Sequence, residues 1–409
     1  MRILLVNHYA GSLELGMEYR PYHMATEWVK SGHEVWIIAA DQSHLRQKPV
    51  IPGFQDIDGI RYRWLKTHPY KGNGVHRVFN MLSFCLGLLR IAGWIRQEVK
   101  PDMVIASSTY PMDIWPCQFI ARGSKARLIW ELHDLWPLSP MELGKMPWWH
   151  PFILLVSAAE RSACRNADEI VSMLPAADKH LITRGMLPQK FHYIPNGINP
   201  HDWDNTDNAL PAEHAALFKK LREKNRWIVG YAGSHGLSNT LHTVIDAFAL
   251  LKDTNASLVL VGQGPEKERL IKYAAKTGGD IHFLPAVPKT TVPALLKECD
   301  ALYLGWQKSM LYKFGVSPNK IMDYAMAAKP IIHAIDAYND MVKQAQCGIS
   351  IPPENPAAIA DAVRKLMNMP KFELETMGLR GKQYILKNNV FSALAAQFID
   401  VMAKNGSAK

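Results

Sequence analysis

The chain has 409 residues and a formal net charge of +10, with 48% hydrophobic and 21% charged residues. This length exceeds what one hydrophobic core normally supports, so two domains are expected in a soluble globular protein. The positive charge suits an anionic partner such as a nucleotide phosphate or an anionic lipid head group. Because no basic run concentrates that charge, the sequence disfavours a nucleic-acid partner.

The five cysteines are widely spaced, and no pair has the spacing of metal ligands. Their number and spacing favour buried, unpaired thiols in a reducing compartment. The first residues enter a strand pattern directly, so no signal peptide is expected. No run reaches the roughly 18 apolar residues that predict a membrane span.

Short apolar runs alternate with helical stretches in the first half, as in parallel strands buried on both faces. The loop after the first strand contains Gly16, and the next helix begins near Arg20. Gly16 could let a substrate approach the backbone while Arg20 clamps a phosphate; an exposed arginine in a flexible loop is the alternative. The predicted strands are Ile3–Val6, Glu34–Ala39, Met103–Ala106, Leu128–Leu132, Glu169–Ser172 and Phe191–Ile194.

One strand end carries His133, at the edge of a parallel sheet where ligands bind. A histidine satisfied within the core is the alternative. Two stretches, 73–96 and 141–156, mix apolar and aromatic residues with scattered positive charges, and the second contains Trp148 and Trp149. This mixture is typical of a membrane interface and also of a buried helical hairpin, so both interpretations stay open.

A polar stretch over 199–211 predicts the linker between the two domains. The alternation of strands and helices then restarts, with predicted helices at 240–251 and 292–298. The predicted strands of this half are Trp227–Tyr231, Ser257–Val261, Asp280–Phe283, Asp300–Leu304 and Pro330–Ala334.

A glycine-containing turn, Gly230–Gly236, connects a predicted strand to a helix. Gly233 leaves backbone N–H groups open to a phosphate, and Ser234, His235 and Asn239 can donate to phosphate oxygens. The glycine spacing differs from the dinucleotide-binding fingerprint, and a tight strand-to-helix turn is the alternative explanation.

The segment 315–332 predicts a helix start adapted to an anion. Ser317 is a suitable N-cap, and Pro318 suits the first helical position. Lys320 adds a positive charge, and Asp323, one turn further on, can accept hydrogen bonds from ribose hydroxyls. The segment therefore suggests a nucleoside diphosphate site, with an ordinary capped helix as the alternative.

Taken in order, these motifs resemble the family-4 retaining glycosyltransferases. The fold of that family is GT-B, an α/β fold of two doubly wound Rossmann-like domains facing across a cleft. Further motifs in family order are Ile194–Ile198 and Gly348–Pro356. Asn7–Gly11 and Ser317–Lys320 look like the branch that acts in bacterial surface-polysaccharide assembly, which includes N-acetyl-L-fucosamine transferases.

The resemblance implies an acceptor-binding domain over residues 1–200 and a nucleotide-sugar-binding domain over 201–385, with a last helix near 386–404 that packs back on the first domain. The family pattern implies that His133 contacts the donor sugar, Lys320 the diphosphate and Asp323 the ribose. The donor-binding positions implied by the motifs and the family pattern are Gly16, Arg20, Gly233, Ser234, His235, Asn239, Ala286, Val287, Gly315, Val316, Ser317, Pro318 and Asn319, with the base at Ala286 and Val287.

The chain departs from the family pattern in two places. The first of the family's paired glutamates falls at Gly315, so no carboxylate is available there. The family usually carries an arginine and a lysine after the glycine turn, where this chain offers only neutral or titratable polar side chains. Neutralisation of the diphosphate is therefore expected from Lys320, Lys313 or Arg20.

The resemblance implies a cytoplasmic enzyme, peripheral on the inner membrane, that needs no metal or other cofactor. It would move an N-acetylated amino sugar from a nucleotide-sugar donor, expected to be UDP-linked, to a polyprenyl-diphosphate-linked sugar acceptor in O-antigen or capsule biosynthesis. No nucleic-acid partner is expected. The alternatives are a GT-B nucleotide-sugar epimerase, a phosphorylase-like transferase and a non-catalytic sugar-nucleotide-binding scaffold.

Overall fold

The apolar runs of the first half form one sheet in the computed structural model, which describes residues 1–16, 18–44, 46–72, 74–204 and 209–404. Its strands are β1 (Arg2–Val6), β2 (Glu34–Ala40), β3 (Gly53–Ile57), β4 (Ile60–Leu65), β5 (Met103–Ala106), β6 (Arg127–Leu132), β7 (Glu169–Ser172) and β8 (Phe191–Tyr193). Their order across the eight-stranded sheet is β3-β4-β2-β1-β5-β6-β7-β8. Among the strands described, the β3–β4 pair alone is antiparallel.

The helices that follow these strands cover both faces of the sheet. They are α1 (Arg20–Lys30), α2 (Val75–Trp94), α3 (Ile114–Ser124), α4 (Leu138–Glu142), α5 (Pro151–Asn166) and α6 (Asp178–Thr183). Buried residues of α2, α3 and α5 pack on one face, and those of α1 pack on the other. The hairpin β3–β4 was not predicted, because its exposed positions carry charged and polar residues that break the apolar run.

A second sheet arises from the apolar runs of the second half. Its strands are β9 (Trp227–Ala232), β10 (Ala256–Val261), β11 (Ile281–Leu284), β12 (Ala301–Gly305), β13 (Ile331–Ala334) and β14 (Gly348–Ile351). They form a parallel sheet in the order β11-β10-β9-β12-β13-β14. Its helices are α7 (Ala212–Glu223), α8 (Leu241–Ala249), α9 (Lys267–Ala274), α10 (Val292–Lys297), α11 (Asn319–Met326), α12 (Met341–Ala345), α13 (Pro356–Met367) and α14 (Lys371–Asn388).

The chain divides into two compact units, and its last helix belongs to the first. Unit 1 comprises Met1–Asn196, Lys313–Ser317 and Phe391–Lys409, and unit 2 comprises Gly197–Tyr312 and Pro318–Val390. The last helix, α15 (Phe391–Ala403), packs on α1. Trp28 Nε1 donates to the Ala395 carbonyl at 3.2 Å. Residues 205–208 of the predicted linker lie outside the described residues.

Both units confirm the predicted α/β class with two parallel-sheet, Rossmann-like domains. One expectation was wrong: among the described helices, Val75–Val99 is long and apolar enough to cross a membrane by length and composition alone. Polar residues interrupt this stretch in sequence, so no continuous apolar run was found. Met81, Phe84 and Leu88 on its inner side are buried in the core of unit 1.

Candidate functional site

A pocket of about 290 Å³ lies at the carboxyl ends of β9, β10 and β11 in unit 2. The turns that follow these strands form one side of the pocket, and α11 forms another. Ligands of open parallel sheets bind at this edge. The lining residues are Ala232, Gly233, Ser234, Val261, Gly262, Gln263, Ala286, Val287, Val292, Lys320, Asp323 and Tyr324, six of which are sequence-predicted site positions.

Glycine backbone forms the floor of this pocket. A Cβ atom on Gly233 would lie 2.1 Å from Cε of Lys320, and one on Gly262 would lie 1.8 Å from the Gly233 carbonyl oxygen. Neither position can accept a side chain without movement of its neighbours. The two turns therefore expose bare backbone to the pocket, a feature of phosphate-binding turns.

Lys320 carries the positive charge of the pocket. Its Nζ donates to Oδ1 of Asn239 at 2.8 Å and lies 5.3 Å from the ring centroid of Tyr231. Burial of this ammonium lowers the pKa of Lys320 to about 8. Asn239 belongs to the stretch where the family usually carries a lysine, so an ammonium contributed by α11 lies beside that stretch.

Ser234 and His235 differ in what they offer to a ligand. Ser234 lines the pocket, and its carbonyl accepts hydrogen bonds from the Tyr231 hydroxyl at 2.7 Å and from Asn239 Nδ2 at 3.0 Å. His235 is fully buried, with no hydrogen-bond partner for either ring nitrogen among the described residues. Burial, with the charges of Lys267 and Lys320, lowers the pKa of His235 to about 4. The prediction that His235 donates to a phosphate does not fit this buried position behind the turn.

Asp323 lies in the pocket with a partner that the sequence analysis missed. Lys289 Nζ donates to Oδ1 of Asp323 at 2.5 Å and also contacts Oδ2. The Asp323 side chain is only 12% exposed. Lys289 follows Ala286 and Val287 in the turn after β11. Its closeness in sequence to the predicted base position could have identified it as a pocket residue.

The start of α11 differs from the prediction. The helix begins at Asn319 with Pro318 as its N-cap residue, so Ser317 is not the N-cap. The Ser317 hydroxyl instead accepts a hydrogen bond from the backbone N–H of Asn196 at 2.9 Å, both within unit 1. Pro318, Asn319 and Lys320 therefore form the helix start in unit 2.

The segment before α11 lies in unit 1. Gly315 has a φ of 106°, a left-handed conformation that favours glycine, and Val316 is buried. Lys313 Nζ lies 5.0 Å from the ring centroid of Phe314, a cation–π contact. The described lining of the unit 2 pocket does not include these residues.

In unit 1, His133 lies in a charged network at the carboxyl ends of β5 and β6. Its Nδ1 is 3.3 Å from a Glu18 oxygen, and its Nε2 is 2.9 Å from Ser107 Oγ and 3.3 Å from Glu131 Oε2. Burial alone would lower the pKa of His133, but hydrogen bonds and negative charge from Glu131 and Glu18 raise it to about 9. The two carboxylates therefore favour the protonated form of the ring. Gly16, at a φ of 100°, lies in the same loop as Glu18.

Arg20 is a structural residue rather than a phosphate clamp. Its Nε donates to Glu131 at 3.0 Å, and its terminal nitrogens donate to the carbonyls of Pro195 at 2.6 Å and Ile194 at 3.2 Å. Its side chain is 3% exposed. The phosphate contact predicted for Arg20 does not fit this position, because the guanidinium is already held within unit 1. Burial would raise the pKa of Glu131, but Arg20 and His133 hold it well below its usual range.

Two α/β units, with a glycine-floored pocket at the strand ends of the second, have the architecture expected of the GT-B class. Residues 16–197 match the family described as "Glycosyl transferase 4-like domain", and residues 213–383 match "Glycosyl transferases group 1". The chain is 32% identical over 305 residues to the D-rhamnosyltransferase WbpZ of Pseudomonas aeruginosa, covering 70% of this chain and 75% of that protein. The chain therefore belongs to the glycosyltransferase family that these two domain descriptions and WbpZ represent.

Other similarities extend over different lengths. The chain is 26% identical over 226 residues to WcaI of Escherichia coli, a glycosyl transferase assigned to colanic acid biosynthesis; the match covers 53% of this chain and 54% of WcaI. The matched part of this chain therefore spans about half the length of WcaI. The structure of Anabaena Alr3699/HepE in complex with UDP has a TM-score of 0.71 at 14% identity, covering 99% of this chain and 100% of that one.

Proposed function

We propose that the protein is a retaining glycosyltransferase that moves an N-acetylated amino sugar from UDP to a polyprenyl-diphosphate-linked acceptor in bacterial O-antigen or capsule biosynthesis. The observation that carries the proposal is the unit 2 pocket, where glycine backbone, the Lys320 ammonium and the Asp323 carboxylate line one cavity. Backbone N–H groups and an ammonium suit a diphosphate, and a carboxylate suits ribose hydroxyls.

The proposed reaction depends on stabilising charge at the leaving diphosphate. As the bond between the anomeric carbon and phosphate breaks, negative charge grows on the phosphate oxygens. We expect Lys320 and the N–H groups at the start of α11 to stabilise this charge, which would be electrostatic preorganisation. The acceptor hydroxyl bonds to the anomeric carbon from the same face, and its proton passes to the leaving phosphate oxygen. This sequence needs neither a protein nucleophile nor a metal ion.

Two observations support a UDP-linked donor: the residues that line the pocket, and the names of similar proteins. Ala286 and Val287, which the family pattern implies for the base, line the unit 2 pocket. Structures of similar fold include complexes with UDP, and one relative, 22% identical over 223 residues, is the alpha-D-kanosaminyltransferase of Streptomyces kanamyceticus. The UDP complexes support a UDP-linked donor and the kanosaminyltransferase supports an amino sugar, whereas WbpZ is named for D-rhamnose, which has no amino group. In the proposed site His133 contacts the donor sugar, as in the family pattern.

A lipid-linked acceptor is supported by the outer surface of unit 1. α2, α3 and α5 pack side by side, and each starts at the edge where a strand ends, because each follows a strand of the parallel sheet. Their first turns, with the loop before α5, expose large apolar side chains. We name these residues the apolar rim: Val75, Phe79, Trp115, Trp148, Trp149 and Leu154.

Charge makes a membrane the best-matched partner of the apolar rim. Lys145 is an exposed cation in the loop before α5, three residues from Trp148 in sequence. Interfacial tryptophans and nearby positive charges attract an anionic lipid surface. Trp148 is 69% exposed and Trp149 is 61% exposed, so the buried-hairpin interpretation is wrong for this pair. If the protein binds peripherally to the cytoplasmic face of the inner membrane through this rim, a polyprenyl-linked acceptor in that membrane would reach unit 1.

Thermal unfolding with nucleotides tests the donor site. UDP is expected to raise the melting temperature more than GDP, dTDP or CMP, because a ligand that binds only the native state stabilises it by mass action. Lys320→Met should lose most of that shift. A larger shift with GDP would reassign the base, and no shift with any of the nucleotides would refute the nucleotide site.

Product analysis separates the enzyme from its alternatives. Release of UDP from a UDP-N-acetylamino sugar by the wild type, and not by Lys320→Met, would exclude a non-catalytic scaffold. Transfer to a lipid acceptor with retained anomeric configuration would exclude an epimerase. Dependence of the reverse reaction on inorganic phosphate would instead favour the phosphorylase-like alternative.

A further inference from the structure

The ion pair between Lys289 and Asp323 joins two sides of the unit 2 pocket. Asp323 belongs to α11, and Lys289 belongs to the turn after β11 that also carries Ala286 and Val287. Both carboxylate oxygens contact one ammonium, and the Asp323 side chain is largely buried. Neither the family pattern nor the motifs assign Lys289 a function.

The acceptor capacity of a carboxylate allows Asp323 to bind ribose hydroxyls while it is paired with Lys289. Each carboxylate oxygen has two acceptor sites, so an ammonium that uses one on each oxygen leaves the others for two hydroxyl donors. An ammonium that contacts both oxygens of a carboxylate also fixes the direction in which that carboxylate points. Asp323 is one methylene shorter than the glutamate of the family pattern, so its reach toward a ribose depends more strongly on that direction.

The turn that carries Lys289 is itself anchored. His214 Nε2 lies 3.0 Å from the Pro285 carbonyl, directly before the base position. Lys267 Nζ donates to the carbonyls of Gly262 at 2.8 Å and Leu284 at 3.0 Å. These contacts hold the root of the turn from behind, so Lys289 extends from a fixed base toward α11.

We propose that Lys289 is a positioning residue that orients the Asp323 carboxylate toward the 2′- and 3′-hydroxyls of the nucleotide, and thereby makes the pocket select ribonucleotides. This inference rests on the proposed nucleotide site. It makes a prediction that a purely structural ion pair does not make: loss of Lys289 changes the preference for ribose over deoxyribose, beyond any change in overall affinity.

Isothermal titration with UDP and 2′-deoxy-UDP measures that preference. The wild type should prefer UDP by about tenfold, the value of one hydrogen bond to a charged acceptor. In Lys289→Met the preference should fall to about twofold or less, with 2′-deoxy-UDP binding changed much less than UDP binding. Lys276→Met removes a charge from an exposed lysine of the same unit and should keep the wild-type preference.

A double-mutant cycle tests whether Lys289 acts through Asp323. Asp323→Ala should abolish the ribose preference, and adding Lys289→Met to it should change the preference no further. An unchanged preference for UDP over 2′-deoxy-UDP in folded Lys289→Met would overturn the inference. Tighter UDP binding by this variant would also overturn it, because the ion pair would then compete with ribose for Asp323. If the wild type does not bind UDP at all, the proposed function with a UDP-linked donor is wrong, and the function of Lys289 is a separate question.

Discussion

Lys320 illustrates how a single residue substitutes for a missing part of a family pattern. The family usually carries a lysine in the stretch around Asn239, whereas here an ammonium from α11 bonds to Asn239 itself. The same charge therefore reaches the same region from a different element. Its burial lowers the pKa to about 8, which makes the charge sensitive to pH near neutrality.

Affinity for UDP should therefore fall as the pH rises above about 8. The protonated ammonium binds the diphosphate, and in the free protein its fraction decreases about tenfold for each pH unit above that pKa. A bound diphosphate raises the pKa, so the loss appears as weaker binding. Titration calorimetry at pH 7, 8 and 9 measures the slope. Lys320→Met should bind weakly with no such slope; an equal slope in that variant would assign the titration elsewhere.

Gly233→Ala should weaken UDP binding by more than tenfold. The new Cβ would lie 2.1 Å from Cε of Lys320, so either the ammonium or the turn must move. Gly236→Ala is the matched control in the same turn, because its Cβ would meet Ser234 Oγ at 3.5 Å, an ordinary contact. Titration calorimetry of both variants makes the comparison. Equal UDP affinities would show that the turn does not approach the phosphate.

At the scale of elements, α2 packs its inner side on the sheet and leaves an outer side exposed. Met81, Phe84 and Leu88 are buried, whereas Phe79 and Leu86 are about half exposed. An apolar outer face on a helix that already has a core marks an interaction surface. The starts of α3 and α5 extend that surface along the edge of the sheet, where unit 1 carries His133.

Replacing Trp148 and Trp149 together by serine should reduce association with anionic vesicles and leave UDP binding unchanged. Both indoles are exposed, so the melting temperature should change little. The loss should be larger on anionic than on neutral vesicles, and salt should weaken wild-type binding. Co-sedimentation measures the effect. Phe372→Ser, at an exposed aromatic of unit 2, is the control; a lowered melting temperature with unaltered co-sedimentation would contradict membrane docking.

At the scale of the whole molecule, the proposed chemistry uses fixed protein charges in place of a metal ion. Transfer activity should therefore survive exhaustive treatment with EDTA. The part of the chain that the structure describes has no group of three or more His, Cys, Asp or Glu side chains placed to hold a metal. Initial rates before and after chelation measure the effect. Loss of activity that magnesium or manganese restores would contradict this electrostatic account.

Much of the fold follows from local sequence patterns. Buried parallel strands such as β1 and β10 are continuous apolar runs, and a run of this kind is visible without tertiary information. The edge hairpin β3–β4 was missed, because partly exposed strands alternate apolar and charged residues and follow no such run. The start of α11 was misplaced by one residue, because the Ser317 hydroxyl is used by the distant Asn196 backbone.

The amino-acid sequence by itself determined the two α/β halves, the glycine turn at Gly233 and the placement of Lys320 and Asp323 on one helix, because these features depend on neighbours within a few residues. Only the tertiary structure decided which charges are available to a ligand. Arg20 is held by Glu131 and Asp323 by Lys289, pairs that are 111 and 34 residues apart in sequence. Local periodicity carries no information about such partners, since they meet only when separate strands and helices pack together.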